Sequence, residues 1–328
     1  MFKNARAYRL NTPFELDQLG LHERLSEKAF RGCGPLEAAT IGWAPPLGPQ
    51  AEMLTHAVNG CLLVAARRQE RLLPASVVSE AVAERAAELE QTEGRDVTRR
   101  ERGQLRDALL AEMLPQAFTR SRVIPALIDP QAGRVVIDAA SDKLAEEVLS
   151  LLRQSLGSLP ATPLAATAAA ERFTAWVLTG EPPAGLTLED QCELRDPAEK
   201  GAVVRCRGMD LGSPEVRAHI DTGMQVAAIG LNWQDALSLV LADDLSLKRL
   251  RFEDELLEQA MDGAEDEDPA LRFEAEMTLM TAQLRGLLDC LEAALAPAGE
   301  AATPKPVAPP KPVAPAADAA LEDATPPF

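Results

Sequence analysis

The sequence lacks the short signatures that identify many enzymes. It has no GxSxG, no GxxxxGK[ST] and no HExxH, so it offers no hydrolase nucleophile turn, no glycine-rich phosphate cradle and no helical zinc site. Leu156-Gly157-Ser158-Leu159 lacks the flanking glycine pattern of a nucleophile elbow. Histidine is scarce: His22, His56 and His219 stand far apart, none at metal-ligand spacing with another histidine or a cysteine. Five cysteines, at 33, 61, 192, 206 and 290, form no CxxC pair. An odd number of dispersed thiols reads as reduced cysteine in a cytosolic chain, not as a disulfide framework. No apolar run approaches the ~20 residues of a membrane span, and Met1-Phe2-Lys3-Asn4-Ala5-Arg6 has no apolar signal core. These absences predict a cytoplasmic, non-enzymatic protein that needs no cofactor and no metal and has no membrane partner.

Positive charge is also in deficit. Lys and Arg number 33 against 51 Asp and Glu, for a formal net charge of −18. As a sum, that argues against a polyanionic partner, because non-specific affinity for nucleic acid comes from cations that neutralise phosphates. Binding depends on where charges sit, however, and a sum is silent on that. Apolar residues are plentiful, at 46% of 328, enough for a sizeable core and for two domains at ordinary domain sizes.

Local patterning predicts a strand over Phe2–Leu10 and a helix within Phe14–Phe30, where Leu16, Leu19, Leu25 and Ala29 recur at roughly helical spacing. The density of Gly and Pro in Gly42-Trp43-Ala44-Pro45-Pro46-Leu47-Gly48 predicts a rigid loop around Trp43. Cys61–Ala66 reads as a buried strand that ends in Arg67-Arg68. Pro74 precedes a long helical pattern carrying Val77, Val78, Ala81, Val82, Ala86 and Leu89 on one face. Thr98 with Glu101 three residues on is a capping box, opening a second helix that stops near Pro115. Arg134–Ala139 reads as a strand, and Ser141 caps a helix through Leu152.

The apolar pattern restarts beyond Pro160, which places a boundary near 157–165. The second half predicts a helix at Thr167–Leu178, strands near 202–207, 224–232, 236–242 and 246–252, and a long helix from Leu271 to Leu295. Strands in succession indicate an antiparallel sheet. The expected organisation is an N-terminal α/β region at 1–160 with a helical hairpin at about 74–115, a C-terminal α/β region at 161–295, and a disordered Pro/Ala-rich tail at 296–328. In that tail Lys-Pro-Val-Ala-Pro occurs twice, a composition that favours extended polyproline-like chain and builds no core.

Charge is distributed unevenly. Residues 253–268 hold nine carboxylates and no base, the composition of a solvated loop. Asp243-Asp244 offers a carboxylate pair, which between two strands reads first as a turn. Arginines gather at Arg67, Arg68 and Arg71 on a strand exit, at Arg95, Arg99, Arg100, Arg102 and Arg106, and at Arg120 and Arg122. Others gather at Arg205 and Arg207 on one strand and at Lys248, Arg249 and Arg251 on another. Alternation places Arg205 with Arg207, and Arg249 with Arg251, on common sheet faces. The planar guanidinium fork suits phosphate oxygens, and these clusters permit a basic surface on an acidic protein.

A series of ordered runs resembles the RdgC family over about residues 1–295. They are Phe2-Lys3-Asn4 with Tyr8-Arg9-Leu10, Gly42-Trp43 with Pro45-Pro46 and Gly48, and Leu54-Thr55-His56 with Asn59-Gly60. Leu114-Pro115 with Ala117-Phe118 and Arg120 follows, then Leu151-Leu152-Arg153 through Ser155-Leu156-Gly157-Ser158-Leu159-Pro160. Asp244 with Ser246-Leu247-Lys248-Arg249-Leu250, Arg272-Phe273 and Leu279-Met280-Thr281 close the series.

The resemblance implies a mixed α/β (α+β) protein, with several antiparallel sheets and packed helices in an elongated, curved subunit that pairs into a ring-shaped homodimer. It further implies nucleoid-associated binding of double-stranded DNA inside the ring, with little sequence preference, and antagonism of the recombinase RecA. The DNA-contact candidates are Arg67, Arg68, Arg71, Arg99, Arg100, Arg120, Arg205, Arg207, Lys248, Arg249 and Arg251. Phe118 matches the aromatic of the ring-closing contact, with a core phenylalanine as the structural alternative. The chain departs from the family at Gln116, where relatives carry a basic residue, and at Gly208 and Met209, where they carry basic and polar ones; Arg207 stands ready to take part of that role. Two other readings follow from the residues. One is an acidic protein-interaction factor that recruits partners through its surface and tail; the other is a metal-dependent hydrolase built on Asp243 and Asp244.

Overall fold

The computed structural model describes residues 1–198, 201–253 and 269–296. Most of the acidic segment (254–268) and the proline-rich tail (297–328) lie outside the described residues, and so do the loop and disorder readings placed on them. The fold is mixed α/β. Its strands are β1 (Asn4–Leu10), β2 (Ala39–Ala44), β3 (Thr55–Val58), β4 (Cys61–Arg71), β5 (Thr119–Asp129), β6 (Arg134–Ile137), β7 (Ala161–Pro163), β8 (Leu186–Arg195), β9 (Val203–Arg207), β10 (Gln225–Trp233), β11 (Leu237–Ala242) and β12 (Leu247–Phe252). The helices are α1 (Gln18–Ser26), α2 (Ala75–Glu93), α3 (Arg99–Met113), α4 (Asp142–Leu156), α5 (Ala169–Thr179), α6 (Pro214–Asp221) and α7 (Pro269–Leu295).

The strands form one antiparallel path, β2-β4-β5-β6-β1-β12-β11-β10-β8-β9, with β3 added at β4 and β7 at β1. β1 joins the two halves. It pairs with β6 over four positions, from Arg6↔Ile137 to Arg9↔Arg134, and with β12 at Asn4↔Lys248 and Ala5↔Leu247. Polar contacts reinforce that short seam. Arg6 pairs with Asp142 at the start of α4 and with Asp244 in the β11–β12 turn, while Asp138 accepts the Lys3 and Asn4 amides.

Period-2 alternation sorts the core to two faces. On β1, Ala5 and Ala7 point into one cluster and Tyr8 and Leu10 into the other; on β4, Cys61 and Leu63 divide likewise from Leu62, Val64 and Ala66. Helix α4, capped by the Ser141 hydroxyl on the Leu144 amide, buries Ala145, Val148, Leu149 and Leu152 with α1 on the Tyr8 face. Helix α7 covers the opposite face and continues over the second half of the sheet through Leu284, Leu287, Leu288 and Leu291. Charge fixes it there: Arg285 pairs with Asp129 at 2.7 Å, and the buried Arg134 pairs with Glu292 and Asp289 at 2.6 Å each.

Of the loop expected at residues 42–48, residues 45–48 form a turn, but Gly42, Trp43 and Ala44 belong to β2. Trp43 is fully buried in β2, pairs with Ala66, and donates its Nε1 to the Ser155 hydroxyl at 2.8 Å. Gly42 is present because the Phe30 segment crosses it: a Cβ at Gly42 would meet the Phe30 Cα at 2.6 Å. The helical hairpin forms as expected, with Gly94 closing α2 in a left-handed turn and the Thr98–Glu101 capping box opening α3. Its apolar face buries only Val78 and Ala86, and α3 buries no residue.

Candidate nucleic-acid interface

In the second half of the sheet the two faces differ sharply. Cys192 and Leu194 of β8, Val226, Ile229 and Leu231 of β10, Leu237, Leu239 and Leu241 of β11, and Leu247, Leu250 and Phe252 of β12 point inward beneath α5, α6 and α7. The alternate residues point to solvent. Glu193 stands opposite Arg205, Gln191 opposite Arg207, and Val240 opposite Lys248. These side chains, with Arg195, Ala228, Ala242 and Arg249, line a depression of about 160 Å³. Small residues make its floor and five cations stand around it, with Glu193 as the carboxylate among the lining residues.

The sequence-predicted candidates Arg205, Arg207, Lys248 and Arg249 thus converge from strands more than forty residues apart in the chain. Arg207 and Lys248 have no hydrogen-bonded or ionic partner among the described residues, and Arg205 gives its Nε to Glu193 at 2.8 Å. Arg249 donates to Gln191 Oε1 at 3.2 Å. The expected sharing of a face by Arg249 and Arg251 holds, but the register adds Lys248 to that face, which simple alternation had placed on the other. A β-bulge between the Ser238↔Arg251 and Val240↔Lys248 pairs places Lys248 and Arg251 on the outer face, and Arg249 occupies the bulge at φ +54°. The bulge turns the Arg249 side chain to the depression's rim, and Arg251 is exposed beside it without a described partner.

The candidates in the first half are used differently. Arg71 donates to the carbonyls of Leu114 (2.7 Å), Pro115 (3.2 Å), Ala117 (3.4 Å) and Gly34 (3.1 Å), which ties the end of the hairpin to β4. Arg68 is held between Glu147 and Glu70, and Arg120 meets the same Glu70. The Arg68 and then the Arg120 guanidinium hold the Glu70 carboxyl below its ordinary range. Arg67 points to the opposite face, stacks on the Phe30 ring at 4.7 Å and donates to the Ser121 hydroxyl. Arg99 and Arg100 are exposed on α3 and have no described partner, as is Arg122 beyond them on β5. Phe118 is 83% exposed, and its carbonyl accepts the amide of Leu72, itself 45% exposed. It is a surface residue, not a core phenylalanine.

Sequence reasoning missed strand β8 and therefore Gln191, Glu193 and Arg195. Leu186, Leu188, Cys192 and Leu194 carry the alternation that marks it, broken by Asp190 where the β8–β10 register shifts. The Glu193 carboxyl is held below its ordinary range by the Arg205 hydrogen bond first, with Arg195 adding to it against a smaller effect of burial. Directly beneath, Cys192 and Cys206 are register partners, and burial, then the neighbouring thiol, pushes Cys192 up to about 12. The Cys192 thiol stays protonated.

Asp244 is bound into its turn. Its Oδ1 accepts the Ser246 amide and hydroxyl, and its Oδ2 accepts from Arg6. Burial would raise its pKa, but the Ser246 and Arg6 contacts outweigh that and hold it at about 2. Asp243 lies 3.7 Å from Arg195. Among the described residues no group of three or more His, Cys, Asp and Glu is placed to hold a metal ion. No described helix is long and apolar enough to cross a membrane.

Residues 1–297 match the family model described as "Putative exonuclease, RdgC". The chain is 41% identical over 295 residues to the Recombination-associated protein RdgC of Aeromonas hydrophila subsp. hydrophila, covering 90% of this chain and 97% of that protein. The same identity and coverage hold for the Recombination-associated protein RdgC of Tolumonas auensis. That of Salmonella paratyphi B is 39% identical over 291 residues, 88% of this chain and 96% of the relative. A family match over nine-tenths of the sequence, with relatives near 40% identity across 96–97% of their length, means that the chain belongs to the RdgC family.

Proposed function

We propose that this protein acts in DNA recombination as a binding protein, holding double-stranded DNA without base preference on the open face of its C-terminal sheet. The observation that carries the reading is the depression where Arg205, Arg207, Lys248 and Arg249 converge. Its two rims, β9 and β12, are separated by four strand spacings, about 19 Å between backbones at the usual 4.8 Å. Long side chains reaching inward across that distance suit phosphates on both sides of a DNA groove about 12 Å wide. Phosphate contacts position a duplex and carry no sequence information, which fits a depression whose cations surround the small apolar residues Ala228, Val240 and Ala242. The recombination-associated names of the relatives support the process.

Two copies of the chain close around the duplex in this reading. The exposed Phe118 and Leu72 supply an apolar contact at the far end of the β4–β5 ladder, and the exposed arginines of α3, Arg99 and Arg100, extend the basic track. A protein that occupies duplex in this way limits RecA's access to it and sits with the nucleoid in the cytoplasm. Its role is occupancy, not cleavage.

The test is fluorescence anisotropy with a labelled random-sequence duplex, titrated from low to high salt. The expected result is affinity that falls steeply with salt at about 0.9 per phosphate contact in a log–log plot, with a slope blunted by Lys248→Ala with Arg249→Ala. No binding at low salt would remove the reading. In that case the net charge of −18 would favour recruitment of protein partners by an acidic surface. The same labelled duplex incubated with Mg²⁺ or Mn²⁺ tests the exonuclease description of the family: progressive shortening that survives purification would replace occupancy with catalysis.

A further inference from the structure

Glu193 sits where a phosphate of the proposed ligand would sit. It projects from β8, one strand in from the β9 rim, into the basic depression, and its two oxygens are divided between two arginines. Oε2 accepts from Arg205 Nε at 2.8 Å across the β8–β9 register, and Oε1 accepts from Arg195, at 3.0 Å from Nε and 2.8 Å from the terminal nitrogen. A carboxylate bridging two guanidinium forks reproduces the charge and acceptor geometry of a phosphodiester oxygen pair. The remaining cations of the depression, Arg207, Lys248 and Arg249, form no described hydrogen bond or ion pair with it. Arg195 also faces Asp243 at 3.7 Å, and Arg249 faces Gln191.

We propose that Glu193 is a resident competitor for the DNA backbone: it occupies Arg195 and Arg205 in the free protein, so the depression engages phosphate with Arg207, Lys248 and Arg249 first and gains the other two arginines only when the carboxylate is displaced. The inference rests on the DNA-binding reading of this face and deepens it by naming what sets its strength. Physically, the carboxylate does two things. It pre-orders the two guanidinium groups, so their rotamers are already fixed. It also cancels part of their charge, which keeps weak, non-productive polyanion contacts from persisting on this face. An acidic protein with an over-strong basic face would be held on DNA, and a built-in carboxylate within that face moderates it.

The experiment compares the full chain with Glu193→Gln, and with Glu193→Thr as a second variant suited to a β-strand. Both are checked for an unchanged thermal transition. Two probes are used, a labelled random duplex and inorganic polyphosphate as competitor for a fluorescent anionic dye. Removing the carboxylate frees two arginines, so the salt slope for duplex should steepen by up to about 1.8, and affinity at moderate salt should rise roughly three- to tenfold. Arg205→Ala should cost less in the parent than in the Glu193→Gln background, because the carboxylate holds that arginine only in the parent. A merely structural Glu193 would give additive effects. Unchanged or weaker binding of both folded variants overturns the proposal, while the parent's own salt-sensitive duplex binding would leave the function reading standing. If the parent ignores duplex and Glu193→Gln still tightens polyphosphate binding, the DNA reading fails and the competitor role survives. No gain for either probe overturns the competitor role in every case.

Discussion

Arginines of similar sequence context should respond to mutation in opposite ways, because the fold uses them differently. Arg71 lies at a strand exit beside Arg67 and Arg68, and it donates to four backbone carbonyls at the junction of the hairpin and β4. Hydrogen bonds from a charged donor contribute about 1.5–3 kcal/mol each when well formed. Three of these share one nitrogen, so the whole set should contribute about 3 kcal/mol, and Arg71→Ala should lower the unfolding free energy by about that much. Its guanidinium is occupied, so the salt slope of duplex binding should not change.

Arg207→Ala should do the reverse. Its side chain is exposed, has no described partner and lines the depression. Stability should stay within about 0.5 kcal/mol, and the salt slope should fall by about 0.9. Urea denaturation and anisotropy on the same two preparations read both quantities. A loss of salt slope with parental stability in Arg71→Ala, or a destabilised Arg207→Ala with parental slope, would refute the division between structural and ligand-facing arginines.

Two further outcomes follow from buried polar contacts. Trp43→Phe keeps most of the buried ring but removes the indole donor to Ser155, so urea unfolding should show a loss of about 1–2 kcal/mol, and a neutral result would mean the bond contributes nothing. Asp244 has its folded pKa depressed to about 2 from an ordinary 3.8. The stability it lends is therefore full above about pH 4 and is lost as pH falls toward 2. Acid titration of the parent should show a steeper stability loss across that window than Asp244→Asn, which should be the less stable protein at neutral pH; parallel curves would refute the assignment.

Elements governed by local rules were legible in the sequence. The Thr98–Glu101 box, the Ser141 cap, the helical hairpin and the strands near 203–207, 225–233, 237–242 and 247–252 are set by residues within a few positions of one another. Trp43 was misread because Gly42 serves a close approach by a segment twelve residues earlier, not a turn. The role of each arginine was also illegible. Arg120 is occupied by a carboxylate fifty residues away, Glu70, and Arg68 by the nearby Glu70 together with the distant Glu147. Alternation predicted the Arg205/Arg207 and Arg249/Arg251 faces correctly, but not that the bulge at Arg249 brings Lys248 to the same face. A bulge adds one residue without any composition signal, so periodicity runs through it undetected.

Phe118 allows self-association to be tested apart from stability. A phenylalanine 83% exposed contributes little to its own subunit, so Phe118→Ala should leave the unfolding free energy nearly unchanged, where a core phenylalanine would cost about 3–5 kcal/mol. If the side chain is buried between two copies, each loses about 1.5–3 kcal/mol of burial. A two-fold contact counts that loss twice, giving about 3–6 kcal/mol, or roughly two to four decades in the dimer dissociation constant. Sedimentation velocity across a dilution series measures that shift directly. A variant that unfolds more easily but self-associates like the parent would return Phe118 to an intramolecular role. A variant with parental stability and parental self-association would place the contact between copies elsewhere on the surface.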